Sequence, residues 1–541
     1  MTPDEILKRH QKALERKDQW RSIYEDAYEF CIPNRNLHDG QYEGGQPGGK
    51  KTARLFDSTA VHSTQRFAAR IQAALFPPYR RWMRLEPGEA VPQEQWMPIQ
   101  ETLDTYSDRF FTCLKNTSFD LAMGEFLLDL AVGTAVMLVQ PSQDPDEIVR
   151  FECVPPYLVS FDAGPHGSIS NVYRAIRVRP ENIQRMYPLA RLNRRIRESG
   201  ENSPDIEIKL IEATVYDPRR GDYELHLIDP EEKEDLMMRR MDFSPWIVAR
   251  YSRVAGEILG RGPIISALPS IRSLNKTMEL LLKNASLNVA GVYLAQDDGV
   301  LNPHTVTIRP GAIIPVARAG GPTGPSLVPL QRAGDLQLTQ IILTDLRTEI
   351  KRILLDDTLP RDDMSARSAT EIAERMRELS TNMGSAFGRL ITEAMIPIVR
   401  RTMDVMAEIG MIEVPIKIDG QEVRVQPVAP LAQSQNLDDV RDVLNFLQIV
   451  DQLGPEGQIA VNREAIVDFI AQRLGIPTSL MVPAQMREEI KAQAIAAAEE
   501  ASQTPEGAAA VAQAVGGMVG GGGGGAPAVQ NPAGMAQVMA S

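Results

Sequence analysis

One stretch of the sequence, residues 263–410, constrains the fold more than any other part of the chain. Within it, apolar residues recur every three or four positions over 264–289 and again over 338–354. This spacing is typical of a helix with one apolar stripe. Between the two segments, the glycines and prolines of 320–325 rule out a continuous helix. The pattern therefore predicts two long amphipathic helices separated by an irregular insertion.

A third long helix is predicted after a short acidic loop. Residues 356–367 are polar and charged, and Pro360 disfavours helix there. Ser368 and Glu371 have the spacing of a capping box, which marks a helix start. The helix can continue to Gly410, a length of about 60 Å at 1.5 Å per residue, with a kink at Pro397. Such a length is typical of a subunit that spans a large assembly.

Length, composition and charge restrict the class of protein. A chain of 541 residues with 43% hydrophobic and 24% charged residues indicates a globular protein of several domains. No apolar run approaches a membrane span and the N-terminus is charged, so we expect a soluble protein made in the cytoplasm. The net charge of −13 argues against a protein that grips nucleic acid. It does not argue against one past which nucleic acid slides.

The rest of the chain divides according to the period of its apolar residues. Thr2 and Glu5 form a capping box for a first helix that ends before Pro33, and Gly133 ends the last of three further helices. Short β runs predict a mostly antiparallel layer, interrupted by an Arg-rich helix near 180–199 with a solvated face. These runs are 135–139, 148–154, 172–178, 206–215, 223–228 and 246–251. Asp-Gly at 419–420 predicts a hairpin. The fold class is therefore α+β, mainly helical.

No segment carries a strong signal for catalysis. Residues 44–52 superficially resemble a phosphate-binding loop, but Lys51 stands where a magnesium-binding hydroxyl is expected, and no apolar strand precedes the glycines. The three cysteines and six histidines lack the spacing of a disulfide framework or metal site, and we expect buried apolar thiols. The acidic pairs 356–357 and 362–363 could hold a divalent metal, but adjacent acids in such a loop are usually solvated. We therefore predict no cofactor, no metal and no enzymatic activity.

Trp82 has two possible roles. It alternates with Arg81 and Met83, so it could belong to a half-buried strand or to an aromatic and basic surface patch. A lone Trp more often packs inside a protein than stacks on a base, which favours the strand.

Several segments, taken together, resemble the head-to-tail connector, or portal, proteins of short-tailed bacteriophages. They are residues 56–60, 75–85, 256–263, 267–275 and 368–372 with Arg375, and the likeness follows the chain in order over about residues 5–500. The resemblance implies a homo-oligomeric ring of about twelve subunits. This ring would sit at one capsid vertex of the virion, assembled in the host cytoplasm without any membrane. Double-stranded DNA would be packaged and ejected through its channel.

The resemblance also implies partners and a division of the chain. The partners are the major capsid and scaffolding proteins, the terminase motor, the tail adaptor and possible internal core proteins. The parts are a wing (1–262), a first stem helix (263–289), a clip (290–334), a second stem helix (335–355), a tunnel loop (356–369), a long wing helix with hairpin (370–430), a helical crown (431–500) and a disordered tail (501–541).

The tunnel loop holds the residues that the resemblance places near DNA. Carboxylates repeated around a ring would repel phosphate and prevent sticking. Arginines in the same ring could make transient phosphate contacts or form a valve, or simply pair with nearby acids of a neighbouring subunit. The residues are Asp356, Asp357, Arg361, Asp362, Asp363 and Arg367.

Two other functions are alternatives to that of a portal protein. One is a nucleotide-driven enzyme that uses residues 44–52, such as the packaging motor itself, and the missing hydroxyl after Lys50 counts against it. The other is a smaller tail adaptor component, which the chain length and the order of helix, insertion and helix disfavour.

Overall fold

The structure is a computed structural model of the whole chain, and two compact units divide it. One unit comprises Met1–Pro92 and Leu103–Ser434, and the other comprises Gln93–Thr102 and Gln435–Ser541. The residues that the structure describes are 1–35, 52, 54–78, 80–92, 96–142, 144, 147–203, 205–290, 293–295, 327–329, 336–356, 381–412, 418–429, 440–450, 461–474, 482 and 486–487.

In the first half of the chain the helices lie mostly where the sequence predicts them, except that the predicted first helix is divided at residues 19–20. They are α1 (Pro3–Asp18), α2 (Arg21–Cys31), α3 (Thr59–Leu75), α4 (Trp96–Lys115), α5 (Phe119–Val132), α6 (Pro180–Met186), α7 (Arg194–Asn202), α8 (Pro263–Ala290), α9 (Leu336–Ile353), α10 (Ser385–Leu390), α11 (Ile396–Glu408) and α12 (Arg463–Leu474). Residues 440–450 are also helical. The capping box of Thr2 and Glu5 is confirmed. Of the predicted crown, the structure describes only these last helical segments.

The strands form antiparallel sheets, as the sequence predicts. They are β1 (Met83–Pro87), β2 (Thr134–Pro141), β3 (Val149–Cys153), β4 (Val159–Ala163), β5 (Ile169–Val178), β6 (Ile208–Asp217), β7 (Asp222–Asp229), β8 (Glu234–Met241), β9 (Trp246–Arg250), β10 (Tyr293–Ala295), β11 (Leu327–Pro329) and β12 (Val423–Pro427). Strands β4 to β8 form a five-stranded sheet in sequence order, and β3, β2 and β9 form a three-stranded sheet. The pairs β1–β12 and β10–β11 complete the described set.

Helices cover both faces of the five-stranded sheet. Because successive side chains of a strand point to opposite faces, Leu210 and Ala213 of β6 lie on different sides. The side of Leu210 packs against α6 and α7, and the side of Ala213 packs against α1. The Arg-rich segment 180–199 therefore differs from the expected solvated helix. It holds two helices, and each buries an isoleucine, Ile183 or Ile196.

Trp82 packs inside the subunit rather than on its surface. Its side chain is buried beside β1, and its ring contacts those of Phe76, Phe110 and Phe119 at centroid distances of 5.1, 5.8 and 6.0 Å. Such aromatic pairs add to the free energy gained by burial. The prediction that Trp82 packs inside the protein is confirmed and the surface patch is excluded, but the strand begins one residue later, at Met83, and is mostly buried rather than half-buried.

The predicted third long helix is not continuous. Gly384 has a positive φ of 50°, and a new helix, α10, begins after it. Between α10 and α11 the chain forms a π-helical turn, Ile391–Met395. Pro397, the predicted kink, follows this turn directly, and it has no N–H to continue the α-helical bonding pattern. Residues 370–380 of the prediction lie outside the described residues.

Of the hairpin expected at Asp419 and Gly420, the structure describes the turn and the strand that follows it. Gly420 has a φ of 87°, and its N–H donates to the Val423 carbonyl oxygen at 3.0 Å. The strand after the turn, β12, pairs with β1 far away in the sequence, with Leu85 opposite Val425. The segment 413–417, which the hairpin needs as its other strand, lies outside the described residues.

Candidate functional site

Two long helices, α8 and α9, each have a buried end and an exposed end. On α8, Ile264, Ile271 and Leu274 are at most 3% exposed. The described residues beyond Asn275 on the same helix are half-buried or exposed. On α9, Ile350 is fully buried near the C-terminal end, whereas residues near the N-terminal end are mostly exposed. The buried ends therefore fix these helices to the rest of the subunit.

Polar contacts join both helices to the segment before α3. The Asn275 side-chain oxygen on α8 accepts hydrogen bonds from the backbone N–H groups of Phe56 and Asp57 at 2.7 and 3.2 Å. Its amide nitrogen donates to the Arg54 carbonyl oxygen at 2.7 Å. The Asp57 carboxylate accepts from Nε and Nη2 of Arg347 on α9 at 3.0 and 2.7 Å. Asp57 thus contacts α8 through its backbone and α9 through its side chain.

The electrostatic state of Asp57 follows from these contacts. Burial by itself raises the pKa of Asp57, but hydrogen bonds from Thr59 and Arg347 outweigh burial and lower this pKa below its ordinary value. Thr59 donates its backbone N–H to the Asp57 carboxylate at 2.8 Å, which satisfies a donor in the first turn of α3. The Asp57 side chain therefore caps the first turn of α3, whereas Ser58, the N-cap residue, makes no side-chain capping hydrogen bond.

Asp356 lies three residues after the end of α9 and is buried. Its carboxylate accepts from Ser63 Oγ at 2.9 Å and lies 3.4 Å from guanidinium nitrogens of both Arg66 and Arg70, all on α3. The preceding residue, Leu355, has a left-handed φ of 57°, which is strained for a leucine. Arg70 also donates to the Leu355 carbonyl oxygen. The Asp356 carboxylate is therefore occupied by partners of its own chain, and we remove it from the set of free, channel-facing carboxylates.

The other predicted site residues lie outside the described residues. These are Asp357, Arg361, Asp362, Asp363 and Arg367. Of the predicted clip, the structure describes β10 and β11, which pair antiparallel with Leu294 opposite Val328. Of the loop at 44–52, it describes only Thr52.

Glycines bring the chain close to α5 just before α8 begins. A Cβ atom built on Gly260 would lie 2.3 Å from the Gly133 carbonyl oxygen, and one on Gly262 would lie 2.1 Å from the Ala131 carbonyl oxygen. No larger side chain fits at either position without moving backbone. The Gly262 N–H donates to the Val132 carbonyl oxygen at 2.8 Å, so this close approach positions the start of α8.

A buried arginine links the end of β9 to the π-helical turn, and sequence reasoning missed it. Arg250 donates to the Glu393 carboxylate from Nη2 at 2.8 Å, from Nε at 3.2 Å and from its backbone N–H at 2.9 Å. Its Nη1 reaches the Gly167 and Ile258 carbonyl oxygens at 3.0 and 3.4 Å. The available signal was one charge at the end of the apolar run Trp246–Arg250. Arg250 thus ties together four separate segments near the start of α8.

Large apolar side chains remain exposed on the outer halves of α8 and α9. Leu280 and Leu282 are 55% and 50% exposed, and Ile341 and Ile342 are 58% and 45% exposed. Residues two apart on a helix point about 200° apart, so Leu280 and Leu282 face opposite sides of α8. The exposed apolar surface is therefore not confined to one side.

The described part of the chain contains no candidate metal site and no candidate membrane span. Among those residues, no group of three or more His, Cys, Asp or Glu side chains is placed to hold a metal ion. No helix there combines the length and apolar character that crossing a membrane requires. The three cysteines are free thiols, with Cys31 and Cys113 buried and Cys153 partly buried beside Arg35 and Asp129.

A family model described as "Bacteriophage head to tail connecting protein" matches residues 3–482. This chain belongs to that family of phage connector proteins, and the resemblance seen in the sequence is confirmed. Among its relatives, the probable portal protein of Bordetella phage BPP-1 is 22% identical over 88% of both chains. The portal protein of Escherichia phage T7 is 22% identical over 85% of this chain and 84% of its own. That of Enterobacteria phage T3 is 21% identical over 78% and 79%.

Proposed function

We propose that this protein is the portal subunit of a phage, and that copies of it form a ring at one capsid vertex. The family match over residues 3–482 and the portal relatives support the proposal. The ring serves as the channel for packaging and ejecting double-stranded DNA. It is also the docking platform for the packaging motor, the tail adaptor, the capsid and scaffolding proteins, and internal core proteins. The alternative enzyme and the smaller adaptor are not supported by these relatives.

The observation that carries the ring is the exposed apolar surface of α8 and α9, which we call the stem. Leu280 and Leu282 face opposite sides of α8, and Ile341 adds a third exposed apolar side chain on α9. One partner on one side would leave half of this surface in water. A closed ring with head-to-tail contacts gives every stem a neighbour on both sides, and it therefore covers both.

The other parts of the chain take the roles that the resemblance to portal proteins implies. The segment 290–334 is the clip that meets the motor and later the tail. The segment 356–369 is the tunnel loop, where Asp357, Asp362 and Asp363 keep DNA from sticking. The wing comprises 1–262 and 370–430, and the crown comprises 431–500. In this division the protein guides DNA without a reaction of its own.

Imaging and mass measurement of purified protein test the ring. We expect annular particles in negative stain, with a mass that is a whole multiple of 59.8 kDa. The double variant Leu280→Asp with Ile341→Asp should remain folded by circular dichroism but fail to form rings, because both charges would enter the apolar contact. The matched control is Leu189→Asp, since Leu189 is 67% exposed and lies outside the stem. A compact wild-type monomer under all conditions would contradict the proposal.

An ATPase assay separates the portal from the nucleotide-driven alternative. We expect no turnover by the purified wild-type protein. Turnover that Lys50→Ala abolishes would contradict a pure conduit and favour an enzyme that uses the loop at 44–52.

A further inference from the structure

We propose that α3 and the residues before it form a brace that fixes the angle at which the stem leaves the subunit, and so sets the number of subunits in the ring. This inference rests on the proposed portal ring. The brace contributes Asp57, Ser63, Arg66 and Arg70. These residues contact Asn275 on α8, Arg347 on α9 and Asp356 after α9.

The brace holds α9 at two separate points. Arg347 is bound by Asp57 ahead of α3, and Asp356 is bound by side chains from the body of α3. Arg347 lies on α9, and Asp356 lies three residues beyond Ile353, in the turn that ends α9. One contact would let α9 pivot, whereas one contact on the helix and a second just beyond its end fix its direction.

The same segment also fixes α8. Asn275 lies at the point where α8 passes from buried to exposed, and it is 8% exposed itself. It accepts hydrogen bonds from the N–H groups of Phe56 and Asp57. A second contact to α8 comes from α2, where Asp26 pairs with Arg272. Both stem helices are therefore anchored at the level where they leave the core.

The hydrogen bonds and ion pairs of the brace fix the direction of the stem better than the apolar contacts between α8 and α9 do. Apolar burial depends on area and tolerates small rotations. Charge-assisted hydrogen bonds are short and depend on geometry. The rotation between neighbours in a closed ring changes by only about 2° between twelve and thirteen subunits. A small change in stem angle is therefore enough to change the copy number.

Native mass spectrometry of the assembled rings tests the brace. We expect the wild-type protein to form rings of one dominant copy number, and Asp356→Asn to form rings of at least two copy numbers. The matched control is Asp229→Asn. Asp229 is also fully buried and bound to an arginine, with Arg195 Nη2 and Nε at 2.7 and 3.0 Å, but it lies in the five-stranded sheet. This control should lower the melting temperature and leave the copy number unchanged.

Two results would overturn the brace. One is a single, wild-type copy number for Asp356→Asn, and the other is equal broadening by Asp229→Asn, because general loss of stability would then explain the effect. If Asp356→Asn does not fold, Arg347→Lys decides in the same way, since it keeps the charge but loses the paired contact to Asp57. Absence of rings from the wild-type protein would contradict the proposed function instead, so the two failures are distinguishable.

Discussion

His10 is buried between α1 and the five-stranded sheet, where its Nδ1 lies 3.1 Å from Ser160 Oγ and its ring packs near Tyr173. Burial, helped by the charges of Lys17 and Lys209, lowers the pKa of His10 from 6.5 to about 4. The imidazole of His10 therefore takes up a proton less readily in the folded protein than in the unfolded chain.

The stability that neutral His10 contributes is fully present above pH 6.5 and is lost progressively as the pH falls toward 4. We expect a loss of about 2 kcal/mol between about pH 7 and about pH 5. Urea unfolding of the wild type and of His10→Asn measures it, and an equally steep loss in the variant would contradict this origin.

Single residues also differ in how far the sequence reveals them. Trp82 was predictable as a packed residue because apolar character alone decides its place. The burial of Asp356 was not predictable, because its partners Ser63, Arg66 and Arg70 lie almost three hundred residues away in the sequence. In a local window Asp356 is one acid among several in a polar loop. Long-range ion pairs leave no periodic signal, so such contacts need the fold.

Long helices were easier to predict than such contacts, because the periodicity of apolar residues is strong over long segments. Both stem helices were predicted, and α8 continues through Pro269 within its first turns. Strands β4 and β8 were missed. β8 contains Met-Met-Arg-Arg, which has little of the β-branched and aromatic character of strands, and it forms an edge of its sheet. The break at Gly384 was missed because one glycine does not interrupt an apolar pattern.

An ion pair joins the π-helical turn between α10 and α11 to the end of β9. Glu393 lies in this turn and binds Arg250, whose side chain is 5% exposed. Glu393→Gln leaves the Arg250 charge buried without a carboxylate, and we expect a loss of about 3 kcal/mol in the free energy of unfolding. Chemical denaturation measures it, and faster amide hydrogen exchange over residues 391–395 should accompany it.

An exposed ion pair provides the control for the π-helical turn. Glu198 pairs with Arg194 on α7, and the two side chains are 54% and 90% exposed. Glu198→Gln should cost no more than about 0.5 kcal/mol. If Glu393→Gln costs as little as Glu198→Gln, the turn does not depend on the Arg250 contact.

The whole molecule explains why separate sequence segments pointed to one family. Residues 56–60 and 267–275 were selected for their likeness to portal proteins, and they touch each other through Asp57 and Asn275. Among the residues that the structure describes, nothing fully covers Leu280 and Ile341, and the proposed ring would bury both. The partners depend on contacts between chains, which neither a local pattern nor one subunit specifies.

Arg367 lies in the segment 356–369, which the resemblance to portal proteins assigns to the tunnel loop, and the proposed ring repeats its charge once per subunit. We expect Arg367→Ala to leave ring formation intact and to alter DNA retention or ejection, because a ring of phosphate contacts is lost. Arg367→Lys, which keeps the positive charge, should be affected less. Ring mass, the DNA content of filled particles and infectivity are measured together. Normal packaging and infectivity for Arg367→Ala would refute a role of this arginine in holding DNA, and the arginine would then pair with acids of a neighbouring subunit instead.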